Sequence, residues 1–349
     1  MGMEPARWDV EGMDEAETID REEADVLARD AIVAAGGSEA MARSLARATI
    51  ASESRGLRNL GFAHLPDYLG GLIDGRIDGF AEPVITSPAP ALICIDAVGG
   101  VAQLGFDRVF DDFCGRVGAY GIALMSMSNS FTTGELGDYA LRLAEASFVA
   151  LAATSGPALM APPGAAKPVY CTNPLAFAAP RANGPPLLID QASSATAFVN
   201  LREAAEKGET IPEGWAIDAD GKPTTDPTRA MAGALLTFGG RRGANIALMV
   251  EVLAAGLTTA NWATDAPDFR TGNRSPGAGL LIIAISPSLL DPDFAHRLDR
   301  HLESLEQLGV HIPGQAKADA AQRADRHGIT LPKALRARIS GMTFSKGGV

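Results

Sequence analysis

Cysteine is scarce. Cys94, Cys114 and Cys171 are the only three in 349 residues, they lie far apart, and no CxxC pair occurs. An odd, scattered set argues against a disulfide framework or a structural zinc site and fits a reducing, cytoplasmic compartment. Long apolar runs are missing too. The strongest candidate, 279–285, has the length of a strand and falls short of a bilayer-spanning helix. Basic residues are in deficit: 30 Lys and Arg against 42 Asp and Glu leave a formal charge of −12. Such a surface repels phosphate backbones and anionic lipid, so neither nucleic acid nor membrane is expected as a partner. A small anionic substrate must then be drawn in by a local cationic pocket. The first 25 residues are acidic and lack an apolar stretch, so they do not read as a secretory leader. Ala6 stands where a myristoylation signal needs Ser or Thr.

The usual catalytic signatures are also absent. No P-loop, HExxH, carboxylate-rich metal loop or Gly-x-Ser-x-Gly elbow is present, and no metal is expected. Gly277-Ala278-Gly279 is the nearest approach to a dinucleotide fingerprint, but it precedes a strand instead of joining a strand to a helix. Of five histidines, His296, His301, His311 and His327 fall near the C-terminus, and His64 alone lies elsewhere.

What is present reads as an ordinary globular chain, 46% hydrophobic and 21% charged, long enough for two or three domains. Residues 1 to about 18 read as a loosely attached tail. Asp20 is placed to cap a helix that ends at Gly36-Gly37, and Ser38 to cap a second over 39–54. A third, over 64–75, carries Leu65, Tyr68, Leu69 and Leu72 at helical spacing. From Pro90 the pattern alternates short apolar strands (ALICIDA, GIALMSMS, FVALAAT, LAFAAP, PLLIDQAS) with helices, the mark of an α/β sheet domain. The run over 244–260 reads as a long buried helix and GLLIIAIS as a last strand, and the chain returns to helix over 293–308 and 316–338. Both ends are thus helical and are expected to pack together.

Two stretches stand out as places for chemistry. Asp190 ends a strand and precedes the small residues Gln191, Ala192 and Ser193, a frequent site position, although a plain turn aspartate reads the same way. Gly239-Gly240-Arg241-Arg242-Gly243 opens the long helix. Glycines let a backbone approach a ligand closely, and a helix N-terminus with two guanidiniums suits a phosphate.

Five ordered stretches give the chain a family resemblance: CTNPLAFAAP (171–180), IPEGWAIDADGKPTTDP (211–227), TFGGRRGANIALMVEVLAAGLT (237–258), RSPGAGLLIIAI (274–285) and IPGQ (312–315). Over 20–340 the sequence resembles the type-2 malate/L-lactate dehydrogenases, a group that also holds sulfolactate dehydrogenases and reductases of cyclic imines. The resemblance implies an NAD(P)-dependent oxidoreductase and a homodimer. It implies a mixed-sheet α/β cofactor domain unlike the Rossmann fold (89–290), flanked by an N-terminal helical domain (19–88) and C-terminal helices (291–349) that pack together. By the same resemblance the cofactor, NADP or else NAD, meets Thr172, Asn173, Asp190, Gln191, Ala192, Ser193, Arg241, Arg242 and Gly314. Lys167 is a candidate for the substrate carboxylate, though its type and place fit a surface lysine equally.

The catalytic positions depart from the family. Where relatives carry Ser-His-Gly with an arginine four residues after the histidine, this chain has Asn59, Leu60 and His64; a second family histidine is Ser130, followed by Phe131 and Thr132. Reducing a ketone needs a hydride on carbon and a proton on oxygen, and a positioned acid contributes roughly 10²–10⁴-fold. Leucine gives no proton, and serine is a poor acid. A protonated cyclic iminium already carries its proton, so a pyrroline- or piperideine-2-carboxylate is the substrate that fits, with His64, Asn59, Ser130 or Thr132 orienting it. Two alternatives stay open. One is a malate- or lactate-type 2-hydroxy acid dehydrogenase in which His64, on the same face as Leu60 if the stretch is helical, supplies the proton. The other is a homologue that binds cofactor without catalysis.

Overall fold

The computed structural model describes residues 15–342. β1 (Ala16–Ile19) leads into two capped helices. The Asp20 carboxylate accepts the Glu23 amide and starts α1 (Arg21–Ala34); the Ser38 hydroxyl accepts the Met41 amide and starts α2 (Glu39–Ser54). α3 (Leu65–Ile73) follows a run of turns. Next come β2 (Val84–Thr86), β3 (Leu92–Asp96), α4 (Ala102–Tyr120), β4 (Ile122–Ser130), α5 (Leu136–Glu145), β5 (Val149–Thr154) and β6 (Met160–Ala161). β7 (Leu175–Ala179) and β8 (Leu187–Gln191) pair as a hairpin. An excursion of short elements follows: α6 (Phe198–Lys207), β9 (Ala216–Ile217), β10 (Pro223–Thr224), α7 (Pro227–Met231) and β11 (Ala234–Leu236). α8 (Arg241–Glu251) runs into a π-helical turn at Val252–Gly256, and β12 (Ala278–Ile285) returns to the sheet. α9 (Phe294–Gln307), α10 (Gln315–His327), β13 (Ile329–Pro332) and α11 (Lys333–Gly341) complete the described chain.

The fold is mixed α/β. Its main sheet has seven strands in the order β2-β3-β4-β12-β5-β7-β8. Only β3 and β4 pair in parallel; the other neighbours are antiparallel. β12 lies between β4 and β5 and is apolar on both faces, as a covered central strand must be. Phe106, Val109 and Phe113 of α4 and Tyr139 and Leu143 of α5 fill one side of the sheet. A second core joins the two chain ends: Ala28, Ile32 and Leu45 share it with Ile329, Leu331 and Ile339, and Phe131 reaches into it from the end of β4. A smaller sheet, β10-β9-β11-β6, has its own core around Met160, Leu201 and Leu235.

Three expectations need correction. The tail read over 1–18 falls partly on residues outside the described range, but Ala16–Ile19 is a strand, paired antiparallel with β13. The helix read over 316–338 is broken by that same pairing. Gly328 has φ +83°, and a Cβ there would stand 2.6 Å from the Ile19 carbonyl oxygen, so only glycine lets the two strands close. The apolar run over 244–260 is helical at first but buried on one face only, through Ala247, Val250, Ala254 and Ala255. Leu248 and Val252 are about half exposed, as are Leu257 and nearby Trp262. A helix apolar all round reads as buried, yet among the described residues nothing covers this face.

Candidate functional site

The turn between α2 and α3 is built on a buried carboxylate. Glu53, in the last turn of α2, accepts the Phe62 amide at 2.9 Å, and a Cβ on Gly61 would strike the same carboxylate oxygen at 2.4 Å. Burial raises the Glu53 pKa, and the Phe62 bond and Arg58 oppose that only in part. Leu60 and His64 are joined by successive turns in which Leu60 N–H donates to Leu57 and His64 N–H to Gly61, not by an α-helix. The shared face assumed for them therefore does not follow from helix geometry. Asn59 is exposed, Leu60 half-buried, and His64 takes the N-cap position of α3 without a side-chain capping bond. Its Nδ1 lies 2.9 Å from Asp67 Oδ2. Its ring meets Tyr68 edge-on at 4.9 Å and Phe269 at 5.9 Å.

Tyr68 is the hub beneath. Its hydroxyl oxygen accepts from Thr132 Oγ1 at 2.7 Å and from Gln103 Nε2 at 3.1 Å; Gln103 also donates to the Thr133 carbonyl. Burial pushes the Tyr68 phenol up to about 12, against the pull of its Thr132 and Gln103 bonds, so it stays neutral at any working pH. Tyr68→Phe leaves the Gln103 and Thr132 donors without this acceptor. A loss of about 1–3 kcal/mol in urea unfolding is expected; an unchanged midpoint would mean that the hydroxyl holds nothing. Ser130, fully buried at the end of β4, donates its hydroxyl proton to the Ala278 carbonyl at 3.0 Å and so ties β4 to β12.

The loop after β4 carries this wall to the end of β8. Gly137 N–H donates to Asp190 Oδ2 at 3.1 Å, and Lys317 of α10 stands 3.5 Å from Asp190 and 3.4 Å from Glu135. Burial raises the Asp190 pKa; Lys317 pulls it back. Arg55, at the C-cap of α2, binds both Glu135 and Asp138. Gly314 (φ +94°) lies against Leu188 of β8, where a Cβ would meet it at 3.0 Å. Beside it a groove of about 490 Å³ is lined by Val310, Ile312, Gln315 and Asp319.

A third set lies just before β7 and just after β8. Asn173, in left-handed backbone (φ +38°) and fully buried, donates through Nδ2 to the Ala247 carbonyl and to Glu251 Oε2. Its own Oδ1 has no partner. Ser193 donates its amide to the Thr172 carbonyl and its hydroxyl to the Asn173 carbonyl, and accepts the Phe238 amide on its own carbonyl. Gly239 and Gly240 both have positive φ, and Thr237 Oγ1 holds the Gly240 carbonyl at 2.7 Å. Arg241 and Arg242 open α8, exposed and without an ion pair among the described residues.

The structure thus joins Thr172, Asn173 and Ser193 to the glycine turn of Arg241 and Arg242, and Asp190 to Gly314 through Lys317 and β8. It also sets His64, Thr132 and Tyr68 side by side. Gln191 is exposed and Ala192 half-buried on the same strand end. Lys167 stands apart, exposed on the loop after β6, next to Ala166, which packs on Gly221. Sequence reasoning took Tyr68 for core and passed over Gln103, Asp67, Glu251 and Lys317. Tyr68 sits at core spacing, and its partners lie far away along the chain.

Comparison with known proteins agrees with this architecture. The profile described as malate/L-lactate dehydrogenase matches residues 19–340. A Delta(1)-pyrroline-2-carboxylate/Delta(1)-piperideine-2-carboxylate reductase of Pseudomonas aeruginosa is 34% identical over 307 residues, 86% of this chain and 92% of the relative. A (2R)-3-sulfolactate dehydrogenase (NADP(+)) of Chromohalobacter salexigens is 35% identical over 94% of this chain and 98% of its own. The crystal structure of a delta1-piperideine-2-carboxylate reductase from Pseudomonas syringae superposes with a TM-score of 0.89 at 32% identity, covering 94% of this chain and 100% of that one.

Proposed function

The chain belongs to the malate/L-lactate dehydrogenase family of NAD(P)-dependent oxidoreductases, and from that membership we propose that it reduces a small cyclic 2-imino carboxylate of the pyrroline- or piperideine-2-carboxylate type. One observation carries this reading: the Ser130 hydroxyl is fully buried and donates to a carbonyl, at a position where the family resemblance would put the second histidine, as it would put the first at Leu60. A protonated iminium needs no acid from those places. Hydride addition to its carbon takes up the C=N π pair on nitrogen and leaves a neutral amine. What remains for the protein is to orient the ring and exclude water. Thr132, fixed by neutral Tyr68, and Phe269, backed edge-on by the buried Phe131, form a wall suited to that task. Asn59 and Lys167 remain proposed substrate contacts.

A reduced nicotinamide supplies the hydride when bound. The residues fit such a group in two respects. The buried Asn173 Oδ1 is an acceptor without a partner among the described residues, a demand that a carboxamide N–H would satisfy. Arg241 and Arg242, behind two positive-φ glycines, are guanidiniums without an ion pair among the described residues at a helix N-terminus, a setting for phosphate that favours NADP over NAD. Thr172, Gln191, Ala192, Ser193 and Gly314 complete the proposed cofactor surface, with Asp190 held behind it by Lys317. The half-exposed stripe of Leu248, Met249, Val252 and Leu257 supports a homodimer. Among the described residues no helix is long and apolar enough to cross a membrane, and three free cysteines suit the cytoplasm. The shared core of the two chain ends supports domains at 19–88, 89–290 and 291–349.

A second reading has its own support. Asp67 bonded to His64 Nδ1 is an arrangement that orients an imidazole, so a 2-oxo acid protonated by His64 is the competing assignment. Oxidation of NADPH with pyrroline-2-carboxylate, pyruvate and oxaloacetate separates the two. Turnover of the cyclic imine, with most of it surviving in His64→Ala, is the expected outcome. Preference for an oxo acid, lost by roughly 10²-fold or more in His64→Ala, would replace the first reading with the second.

A further inference from the structure

A carboxylate substrate in a chain of net charge −12 needs a cation at the pocket, and several of the cations around it are engaged. Arg76 is buried and donates to Asp74 and to the Phe269 carbonyl. Arg55 and Lys317 serve Glu135, Asp138 and Asp190. His64 gives its Nδ1 to Asp67.

Arg270 differs from all of these. Its guanidinium lies 5.0 Å over the Phe269 ring, and its Nε is 3.9 Å from Asp67 Oδ2, the same oxygen that faces His64. No other carboxylate among the described residues is in ion-pair range of it, and its side chain is 47% exposed. Phe269, which orients it, is fixed on three sides: its carbonyl by Arg76, its ring edge-on to His64 at 5.9 Å and to Phe131 at 6.2 Å. The guanidinium therefore emerges from an anchored point beside the His64–Tyr68–Thr132 wall. It is held over the Phe269 ring and by one distant carboxylate, and among the described residues no partner engages its terminal nitrogens, which leaves them able to form a two-pronged bond.

We propose that Arg270 is the specificity-determining residue that binds the substrate's carboxylate. The inference rests on the reading of the substrate as a small carboxylate but not on whether its reacting bond is C=N or C=O. Asp67 orients the guanidinium and His64 completes the polar rim. Lysine at 270 keeps the charge but loses the planar fork, and methionine loses both.

The test compares wild type with Arg270→Met, Arg270→Lys and, as a charge control on the same loop, Arg274→Met. Equilibrium binding of pyrrole-2-carboxylate, pyrrole-2-carboxamide and oxamate is measured, together with KM and kcat for pyrroline-2-carboxylate and NADPH. The expected result for R270M is a roughly 10- to 100-fold rise in KM and Kd for the carboxylates. The carboxamide Kd and the NADPH KM should hold, so the wild-type preference for carboxylate over amide disappears. R270K should fall between, and R274M should match wild type. Oxamate binding that depends on Arg270, with no binding or turnover of the cyclic ligands, supports the clamp while refuting the cyclic-imine reading. Carboxylate binding by folded R270M equal to wild type, or binding of neither carboxylate by wild type, overturns the proposal.

Discussion

Replacing Arg55 with methionine is expected to lower the unfolding free energy by about 3–5 kcal/mol, the range for removing one partner of a buried ion pair. The Arg55 side chain is 11% exposed and its partners Glu135 and Asp138 1% and 6%. It holds Glu135 through two nitrogens and Asp138 through one, at 2.7–3.0 Å. Without it two carboxylates stay buried, and their remaining ion-pair partners among the described residues are Lys317 at 3.4 Å and Arg47 at 3.1 Å. Those remaining partners place the cost toward the lower end of the range. The pH dependence follows from Asp138. Burial by itself would raise its pKa, but Arg55 and then Arg47 outweigh burial and hold the carboxyl below its ordinary value. A depressed carboxylate contributes stability above its unfolded pKa of about 3.9 and loses it as pH falls through the lower folded value. The deficit of R55M against wild type should therefore be full at pH 7 and narrow in acid. Urea unfolding at pH 7, 5 and 3.5 measures this; a deficit below about 1 kcal/mol, the level of an exposed pair, would show the network to be solvated.

Gly279→Ala is expected to be at least as damaging, for a steric reason. Gly279 lies in central strand β12 at the register shift between Ala278 and Leu280, and its carbonyl accepts Thr154 Oγ1 at 2.6 Å. A Cβ there would stand 1.8 Å from the Ala254 carbonyl oxygen and 2.5 Å from Thr258 Oγ1. The first contact is backbone and cannot rotate away. The π-helical turn carrying Ala254 would have to lift off the sheet, at a cost of about 3 kcal/mol or more, above ordinary overpacking. Glu251 leads into that turn and holds Asn173, so on the cofactor contact proposed for Asn173 dinucleotide affinity should fall as well. Gly115→Ala is the matched control: it sits in α4 with nothing within 4 Å of its Cβ and should stabilise by up to about 1 kcal/mol. A soluble G279A protein with the wild-type melting temperature would refute the packing argument.

Legibility in the sequence followed range of interaction. The Asp20 and Ser38 caps were readable because each is decided within three residues, by a side-chain oxygen and an amide of the first turn. The strand runs were readable because a covered strand has to be apolar. β1 and β13 were not, since each is too short and too mixed to announce itself and becomes a strand only against the other. The glycine turn before Arg241 was legible; that α8 leaves an apolar face open was not, because periodicity records which residues are apolar and not what covers them. In the site, Tyr68 stood at core spacing, and nothing local connects it to Gln103 or Thr132.

Composition, the local caps and turns, the alternation of strand and helix, and the presence of Leu60 and Ser130 at the positions where the family resemblance would put histidine were legible in the chain as written. They set the fold class and remove the usual proton donors. Tertiary structure alone decided that Asp190 turns to Lys317 and Gly137, that Ser130 bonds Ala278, and that Arg270 meets Asp67 beside His64. Those pairings join residues distant in sequence. Such contacts are chosen by which surfaces meet when the cores close, and the local pattern of residue types does not encode that choice.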